Sequence, residues 1–404
     1  MFLAASGPIG SYGGGPAGES YKLATGPKLL VLGGFGMKIA FNRVKVMRET
    51  HFTAIDVLDT KAVEETDMAR KTFDPIKPWF DAMEEMGEYI GIRFGRIPPG
   101  KSVPEWSFLK HTQVDGIGGL AVMLRQQGVS LPHLPQNKYP SNPSWSWFLK
   151  TVPKYLKPRR RLKWRPVEQG PAVDASKEPP PAVAWHVFGE TPSTRIRRAC
   201  RKAGVTVNSF LLKHLNKAIR PYLEDESAVI PWMIPVNLRG KVVREQDTSN
   251  FSSYVGVNIR PYETVVDVHR AIYAALASGE HWGNWYAYRV TRLSSRGIKK
   301  HLLATDRAMS QWFLGGFSNL GDWDSEKTIT QKQCLGHWLF SPPVLRCQRV
   351  GAGCITFQNC LSLTIQAHPD LTTNPAVAGA WMHSWVKEIE IDLSSLLSDS
   401  PALP

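Results

Sequence analysis

Between Trp106 and Gly119 the chain runs Trp-Ser-Phe-Leu-Lys-His-Thr-Gln-Val-Asp-Gly-Ile-Gly-Gly, and this stretch constrains the fold more than any other. Trp106–Lys110 predicts a strand ending at His111, and Gly118–Gln126 predicts a helix stopped by Gly128. Strand, turn and helix in that order suit a sheet covered by helices. A histidine leaving a strand end suits a general base, and the glycines behind it let a substrate approach the backbone closely. Asp115 invites a dyad with His111, but Gly116, Gly118 and Gly119 argue against a helix running through it. An acidic side chain followed by glycine predicts a locked turn, whose carboxylate, if buried, needs an arginine or backbone donors.

The neighbouring segments alternate in type. Between Trp79 and Ile92 the spacing of Phe80, Met83, Met86 and Tyr89 predicts a helix, and a short strand is predicted over Ile90–Arg96. In the second half, strands are predicted at Ala184–Phe188, Val229–Val236 and Tyr254–Ile259, and a hairpin at Cys354–Phe357 and Leu361–Ile365 around Gln358-Asn359. Helices are predicted from Thr191-Pro192 to Gly204, over Thr206–Ile219 with Phe210, Leu211 and Leu215 on one face, over Val265–Leu276, and over Ala376–Val386. The mixture predicts an α/β chain built as α+β two-layer lobes. Gln169–Ala182 contains Pro179-Pro180-Pro181, which cannot continue a helix or ladder and predicts a semi-rigid linker. The expected division is therefore an N-terminal lobe over 1–168, a linker over 169–182 and a C-terminal lobe over 183–404, with the glycine-rich first 25 residues loosely packed.

At 404 residues the chain has room for two domains or one double-lobed unit, and 43% hydrophobic with 21% charged residues fits a soluble globular protein. Leu29–Phe41 is too short and glycine-broken to span a bilayer, and Met1–Ser6 lacks the charged start of a signal peptide, so a cytoplasmic location is expected. The net charge of +14 favours anionic partners, but no basic-aromatic nucleic-acid module is visible and nucleic acid is not expected. The basic run Lys154, Lys157, Arg159, Arg160, Arg161, Lys163 and Arg165 is either a solvated face or a contact for anionic lipid at the membrane periphery, a CoA phosphate or an acidic carrier protein. Five cysteines without a C-x-x-C pair or paired histidines argue against a disulfide framework and a metal site. Fourteen tryptophans suit either an apolar tunnel or large-residue core packing. Val31-Leu32-Gly33-Gly34-Phe35-Gly36 fails dinucleotide-binding spacing at its last glycine, and His337, His368 and His383 sit singly and are expected to be structural.

His111-Thr112-Gln113-Val114-Asp115-Gly116 resembles the His-x-x-x-Asp-Gly motif of the CoA-dependent acyltransferase superfamily, which includes chloramphenicol acetyltransferase, peptide-synthetase condensation domains, bacterial wax ester synthases and polyketide-associated acyltransferases. Later segments match in order. Val205–Leu212 is similar to a helix-opening segment of the wax synthase branch, Ile234-Pro235-Val236-Asn237-Leu238-Arg239-Gly240 to its Pro-Val-Asn-Leu-Arg strand end, Ser249–Ser253 to its Gly-Asn segment, and Phe317-Ser318-Asn319-Leu320-Gly321 to the Ser-Asn-x-x-Gly strand that lines the tunnel. The likeness runs from about residue 75 to the C-terminus. The chain departs from the pattern at Lys110, where many relatives have the first of two histidines, at Ser209 in place of Asp and at Ser249 in place of Gly. The Asp-Phe-Gly-Trp-Gly motif of plant acyltransferases and a carrier-domain Ser motif are both absent from the sequence.

The resemblance implies a chloramphenicol acetyltransferase-like pseudo-dimer of two related lobes around a central channel, with donor and acceptor entering from opposite faces. It implies His111 as the catalytic base, Asp115 as a structural residue paired with an arginine for which Arg239 is the candidate, and Gly116, Ser318 and Asn319 as oxyanion or channel-lining groups. It further implies no permanently bound cofactor, acyl-CoA or an acyl carrier protein as donor, and a small-molecule alcohol or amine as acceptor, lipid-like or a secondary metabolite. The rival expectations are a catalytically inactive condensation-like binding or scaffold protein, and a basic membrane-surface-binding protein.

Overall fold

The structure is a computed structural model, described over residues 28–32, 37–41, 74–156, 162–172, 182–292, 294–304, 313–323 and 336–398. The chain divides into two units, residues 1–62 and 63–404. In the first, β1 (Lys28–Leu32) and β2 (Met37–Phe41) pair antiparallel, with Lys28 opposite Phe41 and Leu32 opposite Met37. Of the Val31–Gly36 stretch, Val31 and Leu32 belong to β1 and 33–36 lie outside the described residues.

The second unit contains, in order, α1 (Lys77–Glu85), β3 (Gly91–Ile97), β4 (Glu105–Lys110), α2 (Gly116–Gln126), α3 (Ser146–Leu156), β5 (Val183–Phe188), α4 (Glu190–Lys202), α5 (Val207–Ile219), β6 (Ile230–Asn237), β7 (Ser252–Ile259), α6 (Val265–Ala277), α7 (Glu280–Thr291), α8 (Arg296–Ala304), β8 (Gly315–Asp322), β9 (His337–Ser341), β10 (Val350–Phe357), β11 (Cys360–Ala367) and α9 (Pro375–Ser398). The strands form a six-stranded sheet ordered β5-β11-β10-β8-β6-β7 and a three-stranded sheet ordered β4-β3-β9. In the larger sheet β8 runs parallel to both β10 and β6, and the other pairs are antiparallel. The architecture is mixed α/β.

Local sequence accounts for most of these elements. β11 is buried along its whole length although Ser362, Thr364 and Gln366 alternate with its apolar residues, because Thr364 donates to Phe340 O and Gln366 to Pro342 O. β6 alternates buried and half-buried residues because only one face meets the main core. Gln358 and Asn359 take φ of 49° and 60°, the left-handed pair that a two-residue hairpin between β10 and β11 requires. Thr206 caps α5 by accepting from Ser209 N–H, and Thr264 with Asp267 forms a capping box on α6. Trp232, Trp282, Trp323, Trp338, Trp381 and Trp385 are fully buried, so these six pack the core.

The two sheets are joined through β9, which pairs with β3 so that Phe94 lies opposite Phe340. A strand from the second half of the sequence thus completes the sheet that carries His111. On the side of the larger sheet, Gln366 Nε2 donates to Pro342 O at 2.6 Å. The approach is close enough that a Cβ on Gly353 would sit 2.0 Å from the Phe340 carbonyl oxygen.

Three helices, α3, α7 and α8, were not expected from the sequence. α3 contains Pro153, which argues against a helix, and α7 buries its first turns on all sides and so shows no amphipathic stripe. Their packing is nevertheless close: a Cβ on Gly283 would meet Thr151 Oγ1 at 1.9 Å. Of the expected linker, 173–181 lie outside the described residues, while Gln169 Nε2 at its start donates to Leu371 O at 2.7 Å. In the basic run, Lys154 pairs with Glu280, Lys163 with Glu224 and Arg165 with Glu226, and 157–161 lie outside the described residues. Among the described residues no helix is long and apolar enough to cross a membrane.

Candidate active site

His111 leaves the end of β4 into a turn, in which Gln113 N–H returns to Lys110 O at 2.9 Å. Lys110 itself points to the exterior and pairs with Glu84 at 2.8 Å, so the position held by a first histidine in many similar motifs is a surface ion pair here. The half-buried imidazole of His111 places Nδ1 2.8 Å from Val114 O. A carbonyl oxygen only accepts, so Nδ1 carries the proton and the Nε2 lone pair of the neutral ring is left for a substrate. Phe80 of α1 stacks on the imidazole with ring centroids 4.6 Å apart and planes inclined by 29°. Burial pushes the His111 pKa down, against the opposing pull of the Val114 carbonyl and the carboxylates of Asp115 and Asp74. The ring is therefore predominantly neutral at pH 7, the form that accepts a proton.

Asp115 is the N-cap of α2 and not half of a dyad. The helix starts at Gly116, two residues before the predicted start, and runs through the glycines that argued against it. The reason is close packing: a Cβ on Gly118 would lie 2.0 Å from Thr248 O, and one on Gly119 2.7 Å from the Phe94 ring. Asp115 Oδ1 accepts from Gly118 N–H at 2.8 Å and from Arg239 Nη2 at 2.8 Å. Its Oδ2 accepts from Arg239 Nη1 at 2.7 Å and from Phe251 N–H at 2.8 Å. Four donors occupy the carboxylate, leaving no lone pair free for His111.

The donors of Arg239 are equally committed. Beyond the two bonds to Asp115, Nε donates to Asp247 O at 3.0 Å, Nη2 to Ser249 O at 2.9 Å and Nη1 to Asn237 Oδ1 at 3.3 Å. The guanidinium also lies over the Phe251 ring, 4.6 Å from its centroid. The arginine thus joins the end of β6 and the 247–251 segment to the loop that carries His111.

Asn250 closes that connection. It is fully buried, and its Nδ2 donates to His111 O at 3.1 Å while its Oδ1 accepts from Ser252 N–H at 3.1 Å. The sequence places Asn250 in a recognisable segment without indicating that it holds the histidine backbone. Phe80 was visible only as one member of an apolar helix face, which does not distinguish a core residue from one that covers an imidazole.

Of the remaining expected residues, one lies beside Asp115 and two lie on a neighbouring strand. Gly116 is the first residue of α2, where N–H groups have no intrahelical acceptor. The link from this helix start to β8 is Leu320, whose side chain lies where a Cβ on Gly116 would come within 2.6 Å. Ser318 is buried within β8 opposite Gly353, and Asn319 Oδ1 accepts from Gly321 N–H at 2.8 Å. Neither Ser318 nor Asn319 hydrogen-bonds to His111. The structure therefore brings together His111, Asp115, Gly116 and Arg239, and leaves Ser318 and Asn319 on the adjoining strand.

No protein-family model and no curated protein sequence matches the chain. Among solved structures it is similar to the epimerization domain from the third module of tyrocidine synthetase B, at 15% identity and a TM-score of 0.45 over 72% of this chain and 69% of that one. It is also similar to the wax ester synthase/diacylglycerol acyltransferase from Marinobacter aquaeolei VT8, at 13% identity and a TM-score of 0.42 over 72% of this chain and 68% of that one. A third similar structure is polyketide synthase associated protein 5 from Mycobacterium tuberculosis, at 15% identity and a TM-score of 0.43 over 74% of this chain and 76% of that one.

Proposed function

We propose that the chain is an acyltransferase in which His111 is the general base, moving an acyl group from an acyl-CoA or carrier-protein thioester to a hydroxyl or amine. The observation that carries this is the state of the imidazole: Nδ1 is engaged by Val114 O at 2.8 Å, so Nε2 is the basic nitrogen, on a loop braced by the Asp115–Arg239 pair. The sequence motif around His111 supports the same chemistry. As the acceptor oxygen or nitrogen attacks the thioester carbonyl, its proton passes to Nε2. The tetrahedral intermediate then expels the thiolate, which takes the proton back and leaves as free thiol. The Gly116 and Ile117 N–H groups, ahead of the Gly118 N–H that Asp115 occupies, are the donors for the intermediate's oxyanion, with Ser318 and Asn319 as channel-lining residues on β8. The acceptor in this reading is a lipid-like or secondary-metabolite alcohol or amine.

The direct test follows free thiol on incubation with a panel of acyl-CoAs, alcohols and amines, and separately with an acyl carrier protein. Wild type should release thiol in the presence of an acceptor, and His111→Ala should be slower by about 10²–10⁴-fold. Equal rates for the two proteins with every donor would remove the enzyme reading. Contact with an anionic membrane draws less support, because Lys154, Lys163 and Arg165 have carboxylate partners within the protein.

A further inference from the structure

A second carboxylate holds the first turn of the helix that covers the imidazole, on an element that the sequence motif does not include. Asp74 precedes α1, and its Oδ1 accepts from Ile76 N–H at 2.8 Å and from Lys77 N–H at 3.3 Å, holding the first turn of that helix. The same oxygen lies 3.5 Å from Arg244 Nη2. Arg244 is itself buried, with its guanidinium 4.9 Å from the centre of the Trp285 ring on α7. α1 is the helix that lays Phe80 on His111.

We propose that Asp74 and Arg244 form a second ion pair at the site, which seats α1 and Phe80 against His111 and makes Asp74 a positioning residue for proton transfer at that imidazole. The inference rests on the acyl-transfer reading for its catalytic meaning, but the placement of the pair does not. Two carboxylates pull the His111 pKa up, Asp115 on its own loop the more strongly and Asp74 ahead of α1 the less. Glu84 of α1 is engaged by Lys110, and Asn250 on the remaining side is uncharged. Asp115 is offset by two short bonds to Arg239, at 2.7 and 2.8 Å, whereas Asp74 meets Arg244 through one 3.5 Å contact. The charge of Asp74 is less fully offset by its own partner than that of Asp115, although Asp115 pulls the more strongly on the ring. Asp74 therefore favours the imidazolium that forms when the base accepts a proton. Burial pushes the Asp74 pKa up and Arg244 pulls it back, so removing the arginine also weakens the carboxylate's ability to do this.

The test is a nuclear magnetic resonance titration of the histidine rings in the full chain, labelled at Cε1, with His111 assigned from a His111→Gln variant. Asp74→Asn should lower the His111 midpoint, and the acid limb of thiol release should move to lower pH with it. Asp74→Ser, which keeps an oxygen for Ile76 and Lys77 but no charge, should do the same, whereas Arg244→Lys should leave the midpoint near that of wild type. An unchanged His111 midpoint in a folded Asp74 variant overturns the proposal. Should neither Asp74 variant fold, wild type and Phe80→Leu decide it: the ring protons of His111 should lose an aromatic ring-current shift in Phe80→Leu, and identical shifts overturn the seating of α1. The titration needs no turnover. A moved midpoint without thiol release therefore counts against acyl transfer alone, and thiol release with an unmoved midpoint counts against Asp74 alone.

Discussion

Arg239 and Asp115, 124 positions apart in sequence, meet in two buried hydrogen bonds of 2.7 and 2.8 Å. Because both side chains are almost fully excluded from solvent, removing one leaves the other charge uncompensated in the interior. Arg239→Met should therefore destabilise the protein by about 3–5 kcal/mol. Urea unfolding followed by tryptophan fluorescence measures this, and a loss below about 1 kcal/mol would mean that water replaces the missing partner.

Glycines in two helices should respond oppositely to the same substitution. Gly118→Ala drives a methyl group into the Thr248 carbonyl, a contact of 2.0 Å with backbone that cannot move aside cheaply, and should cost roughly 1–3 kcal/mol. Gly379, inside α9, has nothing within 4 Å of the added Cβ. Gly379→Ala should stabilise by about 0.5–1 kcal/mol through helix propensity alone. Thermal midpoints shifting in the same direction for both variants would contradict the packing around α2.

The pH dependence of activity follows from the environment of His111. Burial lowers its pKa below the ordinary histidine value, so the neutral base persists as pH falls through that value. The acid limb of kcat/KM for thiol release should accordingly lie below about pH 6.5. A limb above pH 7 would show that another group controls the reaction.

His281 makes a separate prediction about stability. It is fully excluded from solvent, and burial pushes its pKa down to about 4. The folded state then binds fewer protons than the unfolded state between about pH 6.5 and that value, so stability falls as pH falls through this window. The loss from this one group is on the order of 3 kcal/mol. Unfolding free energies of wild type and His281→Asn measured from pH 7 to 4 should converge toward acid, and parallel curves would rule out this contribution.

Asn250 supports the histidine loop from behind. Asn250→Ala removes the 3.1 Å bond to His111 O and leaves a buried carbonyl without that donor, at a cost of about 1–3 kcal/mol. Under the proposed function kcat should fall more than KM rises, since the change loosens the base and touches no substrate. An effect confined to KM would place Asn250 in a binding role instead.

The sequence by itself determined most of the elements wherever local chemistry dominates. The β10–β11 hairpin was legible because Gln358-Asn359 suits two left-handed residues between apolar runs, and α5 because Thr206 stands before an apolar face. His111 and Asp115 could be singled out because they stand together between a strand end and a run of glycines, in a spacing that resembles a known motif. Their division of labour was suggested by resemblance, whereas its geometry is a matter of contacts with residues far away in the chain. Only the tertiary structure decided that α2 begins among glycines, because their missing side chains are required by the Thr248 carbonyl and the Phe94 ring. It alone placed Asn250 under the histidine backbone, Phe80 on the imidazole and Asp74 beside Arg244. Local periodicity records which face of an element is buried, but not which distant residue buries it, and the surroundings of His111 are made from that second kind of information.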